Sequence, residues 1–317
     1  MRPKLLITGG CSFSQVPNTD VTWAKHLEQH LDPDHHIHTG KGATGNEIIS
    51  HRVIYKVNKA LEQGFNTEDI LVGISWSGCD RMALMTTNFD KMWEEGFTIG
   101  PPQKNTWTHP LEMHFPEFYD RENPQTLGKD IAWYVANSPS WVAHNENNKK
   151  TRSKDWHTFN PYWPDSMTKK YYKDFISPEY ALIQTCQHIL RTQWYLNTHH
   201  IKYFMTEYDL DVFTYHGPPL HQQLPDAVRD YNQEDEGIPD WSKPQVSLID
   251  EHPEVNWLYK MIDRSYWLPV DSLGQWAKHV SEYNYARPKD PHPSTEQHKD
   301  FTEKVILPFI LEKYNIS

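Results

Sequence analysis

The first eighty residues alternate two hydrophobic periods. Lys4 to Thr8 is a short apolar run stopped by Gly9 and Gly10, which reads as a strand. After a polar gap, Trp23, Leu27, His30 and Leu31 recur at the spacing of one helix face. A second strand is predicted at His35 to His38. Thr44 and Glu47 are spaced as a Thr-x-x-Glu capping box ahead of Ile49, Val53, Val57 and Leu61, so a helix is predicted from Asn46 to Gln63. Asp69 to Ser75 is a run of buried-strand character. Strand, helix, strand, helix, strand in this order predicts an α/β fold with a parallel sheet and right-handed crossovers.

From Met85 to Ile176 the periodicity is lost among Pro, Trp, His and Asn residues, and residues 85–176 are read as an insertion forming a cap or pocket wall. Regular structure resumes at Ser177-Pro178, an N-cap followed by proline at the first helical position, ahead of Ile183, Cys186, Leu190 and Trp194. A strand is predicted at Ile201 to Thr206. Asp209 to Pro253 reads as loop and gives way to the aromatic segment Trp257 to Trp267; residues 209–270 are taken as a second insertion. The chain closes with a helix started by Ser294 and Gln297, a second capping box, with Phe301, Val305 and Phe309 on its apolar face. Pro308 is expected to kink it. The 317 residues thus read as a single domain carrying two insertions.

Charge and cysteine content remove several function classes. A net charge of −11, with basic runs no longer than that at Asn147 to Lys154, excludes a nucleic-acid surface. Cys11, Cys79 and Cys186 are too scattered for a disulfide framework or a zinc knuckle. Met1 leads straight into a strand-like segment, so neither a signal peptide nor a membrane span is expected, and a cytoplasmic location follows, or a virion if the source is viral. The 19 histidines include His35, His36 and His38 on one strand and His199-His200 at a helix end. Neither group has carboxylates or cysteines at zinc spacing, so no metal and no cofactor is expected.

Two motifs carry chemistry. In Ile7-Thr8-Gly9-Gly10-Cys11-Ser12-Phe13-Ser14 a strand ends in two glycines and delivers a small nucleophilic side chain to the carboxyl edge of the sheet, where open α/β sheets bind ligands. Glycine permits the tight turn, and a following helix would aim its amides at developing negative charge. Taken alone this is more often an ordinary turn with a capping serine. Near the other terminus, Asp290-Pro291-His292-Pro293-Ser294 holds a histidine between two prolines, a restriction suited to a general base. Alone it reads equally well as a helix start with a solvent-facing ring.

Together the two motifs resemble the SGNH, or GDSL, hydrolases, which open with strand-Gly-Asp-Ser-[Phe/Leu] and close with Asp-x-x-His-Pro before the last helix. Here Gly10 to Phe13 reads Gly-Cys-Ser-Phe and Asp290 to Pro293 reads Asp-Pro-His-Pro, followed by Ser294 and His298. Gly40 to Asn46 looks like the family's second block, with Gly42 in the place of its oxyanion glycine. The resemblance spans residues 3–81, 177–206 and 285–317, and the Gly-Cys-Ser-Phe and Trp-Ser-x-x-x-Arg blocks look like those of bacteriophage and environmental bacterial sequences. It implies a flavodoxin-like three-layer sandwich with Ser12 as nucleophile, His292 as base and Asp290 as its orienter.

Three departures bear on that reading. The third block reads Gly73-Ile74-Ser75-Trp76-Ser77-Gly78-Cys79-Asp80-Arg81, without the family's asparagine, so Ser77 is the expected oxyanion donor beside the Ser12 and Gly42 amides, with Ser75 and Arg81 as further candidates. Asp290 stands two residues before the histidine instead of three, so a backbone carbonyl is the alternative orienter. Cys11 replaces the usual aspartate. The implied reaction is hydrolysis of an acyl ester through an acyl-enzyme, at a rate falling as acid protonates the histidine. Trp93, Trp107, Trp133, Trp141, Trp156, Trp163, Tyr162, Tyr171 and Tyr172, set among Asn and Asp, suit an O-acylated carbohydrate, although most of these rings are expected to form the insertion's own core. A catalytically silent module of the same fold, serving binding or virion structure, and a carbohydrate O-acyltransferase are the alternatives.

Overall fold

The computed structural model describes residues 2–14, 21–40, 44–79, 81–85, 156–159, 176–208, 212–213, 248–283 and 292–316. Along the chain come β1 (Leu5–Gly10), α1 (Trp23–Leu31), β2 (His35–His38), α2 (Asn46–Glu62), β3 (Ile70–Trp76), β4 (Met82–Met85), β5 (Trp156–Phe159), α3 (Pro178–Thr198), β6 (Lys202–Glu207), α4 (Leu248–Glu251), α5 (Pro253–Met261), α6 (Leu273–His279), α7 (Thr295–Phe301) and α8 (Leu307–Tyr314). Four strands form one all-parallel sheet in the order β2-β1-β3-β6, while β4 and β5 make a separate antiparallel pair. The protein is therefore of the α/β class. The chain passes from β1 outward to β2 on one side and returns to β3 on the other, which makes the carboxyl ends of β1 and β3 the topological switch point.

All residues of β1 and β3 are buried, as sheets covered on both faces require. The side-chain alternation of the strands divides the interior in two. Leu5, Ile7, Val72, Ile74, Tyr203 and Met205 share a core with Val53 and Val57 of α2 and with Cys186 and Ile189 of α3. Leu6, Leu71 and Phe204 point the other way, onto Trp23 and Leu27 of α1 and onto Phe301 and Ile310 near the C-terminus. A polar seam crosses the first core between α2 and α3. There the Ser50 and Thr192 hydroxyls lie 2.7 Å apart and Arg191 Nη2 donates to Ser50 Oγ at 2.8 Å.

Helix starts follow the sequence at two of three places. Ser177 accepts from the Tyr180 amide ahead of Pro178, and Ser294 and Gln297 form a reciprocal capping box. At α2, however, the N-cap is Gly45 and no side chain caps the helix, so the Thr44–Glu47 box is not formed. The reason is crowding: a Cβ on Gly45 would stand 2.5 Å from the Arg81 carbonyl oxygen, so the start of α2 is fixed by its approach to the chain leaving β3. Trp194, expected on the buried face of α3, is 55% exposed. The kink expected at Pro308 takes the form of a π turn over Thr302–Ile306, which separates α7 from α8. Such a turn accommodates a proline ring that would clash with the carbonyl four residues earlier.

Much of the first expected insertion lies outside the described residues. The second is regular from Leu248 onward: Val255, Leu258, Ile262 and Trp267 enter the first core, and Trp267 bridges the edge strand β6 at Met205. Among the described residues no helix is long and apolar enough to cross a membrane. Removing the Ser294 hydroxyl, as in Ser294→Ala, should cost about 1 kcal/mol of stability, measured by urea unfolding, since it leaves a helix-start amide without its acceptor.

Candidate active site

The parallel register brings the exits of β1, β3 and β6 to one edge. Gly10 is paired with Ser75, Ser75 with Thr206 and Trp76 with Glu207, so Ser12, Ser77 and Tyr208 follow their strands side by side. Gly10 has φ +157°, and a Cβ there would press on Ser14 Oγ and stand 2.8 Å from the Ser75 carbonyl oxygen. Only glycine fits, and the turn it permits is closed by the Ser14 amide donating to the Cys11 carbonyl at 3.0 Å. Ser14 is held from behind, where its Oγ accepts from Trp23 Nε1 at 3.0 Å. Ser12 sits in the middle of this turn and is half-buried.

The C-terminal segment docks against the same turn. The ring of His292 lies 4.8 Å from that of Phe13, the residue after Ser12. Three residues on, Thr295 accepts the Val21 amide at its Oγ1 (3.1 Å) and its carbonyl lies 3.2 Å from His26 Nε2. The two chain ends therefore meet at the carboxyl end of β1, with His292 half-buried. Behind it, His298 is fully enclosed. Burial, with His26 and His292 nearby, drives its pKa down to about 3, so it is neutral at physiological pH.

On the β3 side, Asn46 clamps Ser77. The Ser77 amide donates to Asn46 Oδ1 at 2.9 Å, while Asn46 Nδ2 donates to the Ser77 carbonyl at 2.9 Å and to Thr185 Oγ1 at 3.2 Å. Arg81 Nη1 donates to Ser77 Oγ at 3.0 Å, and the guanidinium lies 4.8 Å over the ring of Tyr208. Tyr208 in turn meets Phe13 edge-on at 5.2 Å. Phe13 and Tyr208 thus link the His292 ring to the Arg81 cation across the edge of the sheet.

Of the residues singled out from the sequence, Ser12 and His292 both lie at this edge, related through Phe13, the residue after Ser12, whose ring meets that of His292. Ser77 lies at the same edge but is wholly enclosed. Gly42 and Asp290 lie outside the described residues, as do the tryptophans and tyrosines of the insertion other than Trp156, which opens β5. Among the described residues the first helix after the nucleophile turn is α1, which starts at Trp23. Sequence reasoning did not foresee the clamp made by Asn46, for which the only signal was its place at the head of α2.

A second polar chain runs beneath the turn. Lys25 pairs with Glu28 at 2.7 Å, Glu28 with His36 Nδ1 at 2.9 Å, and Thr8 Oγ1 lies 2.8 Å from both His36 Nε2 and His38 Nδ1. Burial lowers His38 to about 3, and no hydrogen-bond partner meets its Nε2 among the described residues. Burial alone would raise the Glu28 carboxyl, but the His36 and Lys25 hydrogen bonds outweigh it and hold the group near 2. Among the described residues no three His, Cys, Asp or Glu side chains converge as a metal site would need. Compared with known proteins, the chain matches no family model, no curated sequence and no solved structure.

His38 and His298, with His188, which burial likewise lowers to about 3, make the fold sensitive to acid. The unfolded chain takes up these protons near the ordinary imidazole value of about 6.5, whereas the folded chain resists until about 3. Their contribution is intact above about 6.5 and is lost as pH falls toward 3. Urea midpoints should therefore drop steadily with acid, and His298→Gln should flatten that slope even if it lowers stability at neutral pH.

Proposed function

We propose that this protein is a serine hydrolase that cleaves an acyl ester on an SGNH-type, flavodoxin-like fold, with Ser12 as nucleophile and His292 as its base. The observation that carries the reading is the packing of the His292 ring 4.8 Å from Phe13, beside Ser12, at the topological switch point of the sheet. Two supporting facts accompany it. The strand order β2-β1-β3-β6 agrees with the first four places of the flavodoxin-type order, and the helix that brings His292 is pinned to the start of α1 through Thr295.

In the reaction, His292 removes the Ser12 proton as the hydroxyl oxygen attacks the ester carbonyl. An acyl-enzyme forms, and water activated by the same imidazole releases it. Asp290 is the orienter of His292 in this scheme, and the Ser12 and Gly42 amides, with one donor from the third block that carries Ser77 and Arg81, are its oxyanion group. An O-acylated carbohydrate is the proposed substrate, on the strength of the tryptophans and tyrosines in residues 85–176.

Fluorophosphonate capture tests this. Wild type should incorporate one equivalent at Ser12 and Ser12→Ala none, with His292→Gln reacting roughly 10²- to 10⁴-fold more slowly. A wild type that stays unlabelled would mark a silent binding module of the same fold. Acylated sugar appearing during turnover of an activated acetyl ester would mark a transferase.

A further inference from the structure

The geometry points to Arg81 as the group that takes the oxyanion where the SGNH pattern has an asparagine, with Ser77 acting on it as a positioning residue. This rests on the hydrolase reading above. Ser77 is completely buried, and Asn46 occupies both its amide and its carbonyl. Its hydroxyl oxygen accepts from Arg81 Nη1 at 3.0 Å, so the serine is turned toward the guanidinium within the protein. Arg81, by contrast, is partly exposed.

The guanidinium is fixed from two directions. Ser77 Oγ holds one nitrogen, and the Tyr208 ring lies under its face at 4.8 Å. A planar cation held at an edge and on a face is oriented before any substrate arrives, which is what electrostatic stabilisation of a transition state requires. Tyr208 also abuts Phe13, and Phe13 abuts His292, so a chain of ring contacts runs from the cation to the histidine past the residue that follows Ser12. On attack, Ser12 Oγ bonds to the acyl carbon, the carbonyl π pair moves onto oxygen and the hydroxyl proton passes to His292. Arg81 offsets the new negative charge. Collapse returns that pair, breaks the ester C–O bond and sends the proton from His292 to the departing alcohol.

The test compares fluorophosphonate capture and hydrolysis of p-nitrophenyl acetate in wild type, Arg81→Ala, Arg81→Lys, Ser77→Ala and the Ser77→Ala/Arg81→Ala double variant. Arg81→Ala should lose roughly 100-fold or more in kcat with KM little changed, and added guanidinium ion should restore part of the rate. Ser77→Ala should lose less, and the double variant should be no slower than Arg81→Ala, because Ser77 works through the arginine. If the alanine variant does not fold, Arg81→Lys decides: a rate about tenfold below wild type supports the assignment and an unchanged rate overturns it. Capture by Arg81→Ala at the wild-type rate overturns it, as do additive losses in the double variant. A wild type that captures nothing defeats the hydrolase reading itself, and this assignment with it, an outcome distinct from a labelled wild type indifferent to Arg81.

Discussion

The docking of the C-terminal segment onto the exit of β1 is the constraint on which the site depends. His292 against Phe13, and Thr295 against Val21 and His26, tie together residues separated by most of the chain. Contacts of such long sequence separation are costly to close, and they are worth forming only where the surrounding packing is dense. Here it is supplied by Phe301 and Ile310, which share a core with Trp23 and Leu27 on one face of the sheet. The position of the histidine is thus a consequence of how the last helices cover the sheet.

The edge of the sheet joins two differently built halves. On the β1 side the device is steric: Gly10 admits a turn that any side chain would block. On the β3 side it is polar, with one buried asparagine satisfying both main-chain groups of Ser77. A buried amide with its donors and acceptor occupied specifies a single arrangement, while a partly satisfied one would be costly. The two halves meet through Phe13 and Tyr208, whose edge-to-face contact spans the gap between the strands.

The four strands of the parallel sheet and the helices α1, α2, α3 and α7 were legible in the sequence because each is set by local periodicity, whereas the β4–β5 pair was not. His35–His38 and the Ser294–Gln297 box are examples, since the signals lie within a few residues of one another. The cap of α2 was not legible, because Gly45 is chosen by the approach of the Arg81 carbonyl, a tertiary contact that no local pattern encodes. The same holds for the site. Ser12 and His292 stood out through short motifs, whereas Asn46 and the relation of Arg81 to Tyr208 depend on the register of β1, β3 and β6. The π turn before Pro308 is an intermediate case: the proline signals a distortion, and the packing of Phe301 and Val305 selects its form.

The central claim is a contact between one hydroxyl-bearing side chain and one imidazole. Nuclear Overhauser cross-peaks between the Ser12 β-protons and the ring protons of His292, the latter assigned by their loss in a His292 variant, measure it directly. The account predicts that these cross-peaks are present in the unreacted protein. Ring protons of His292 that show contacts to Phe13 but none to Ser12 would contradict it.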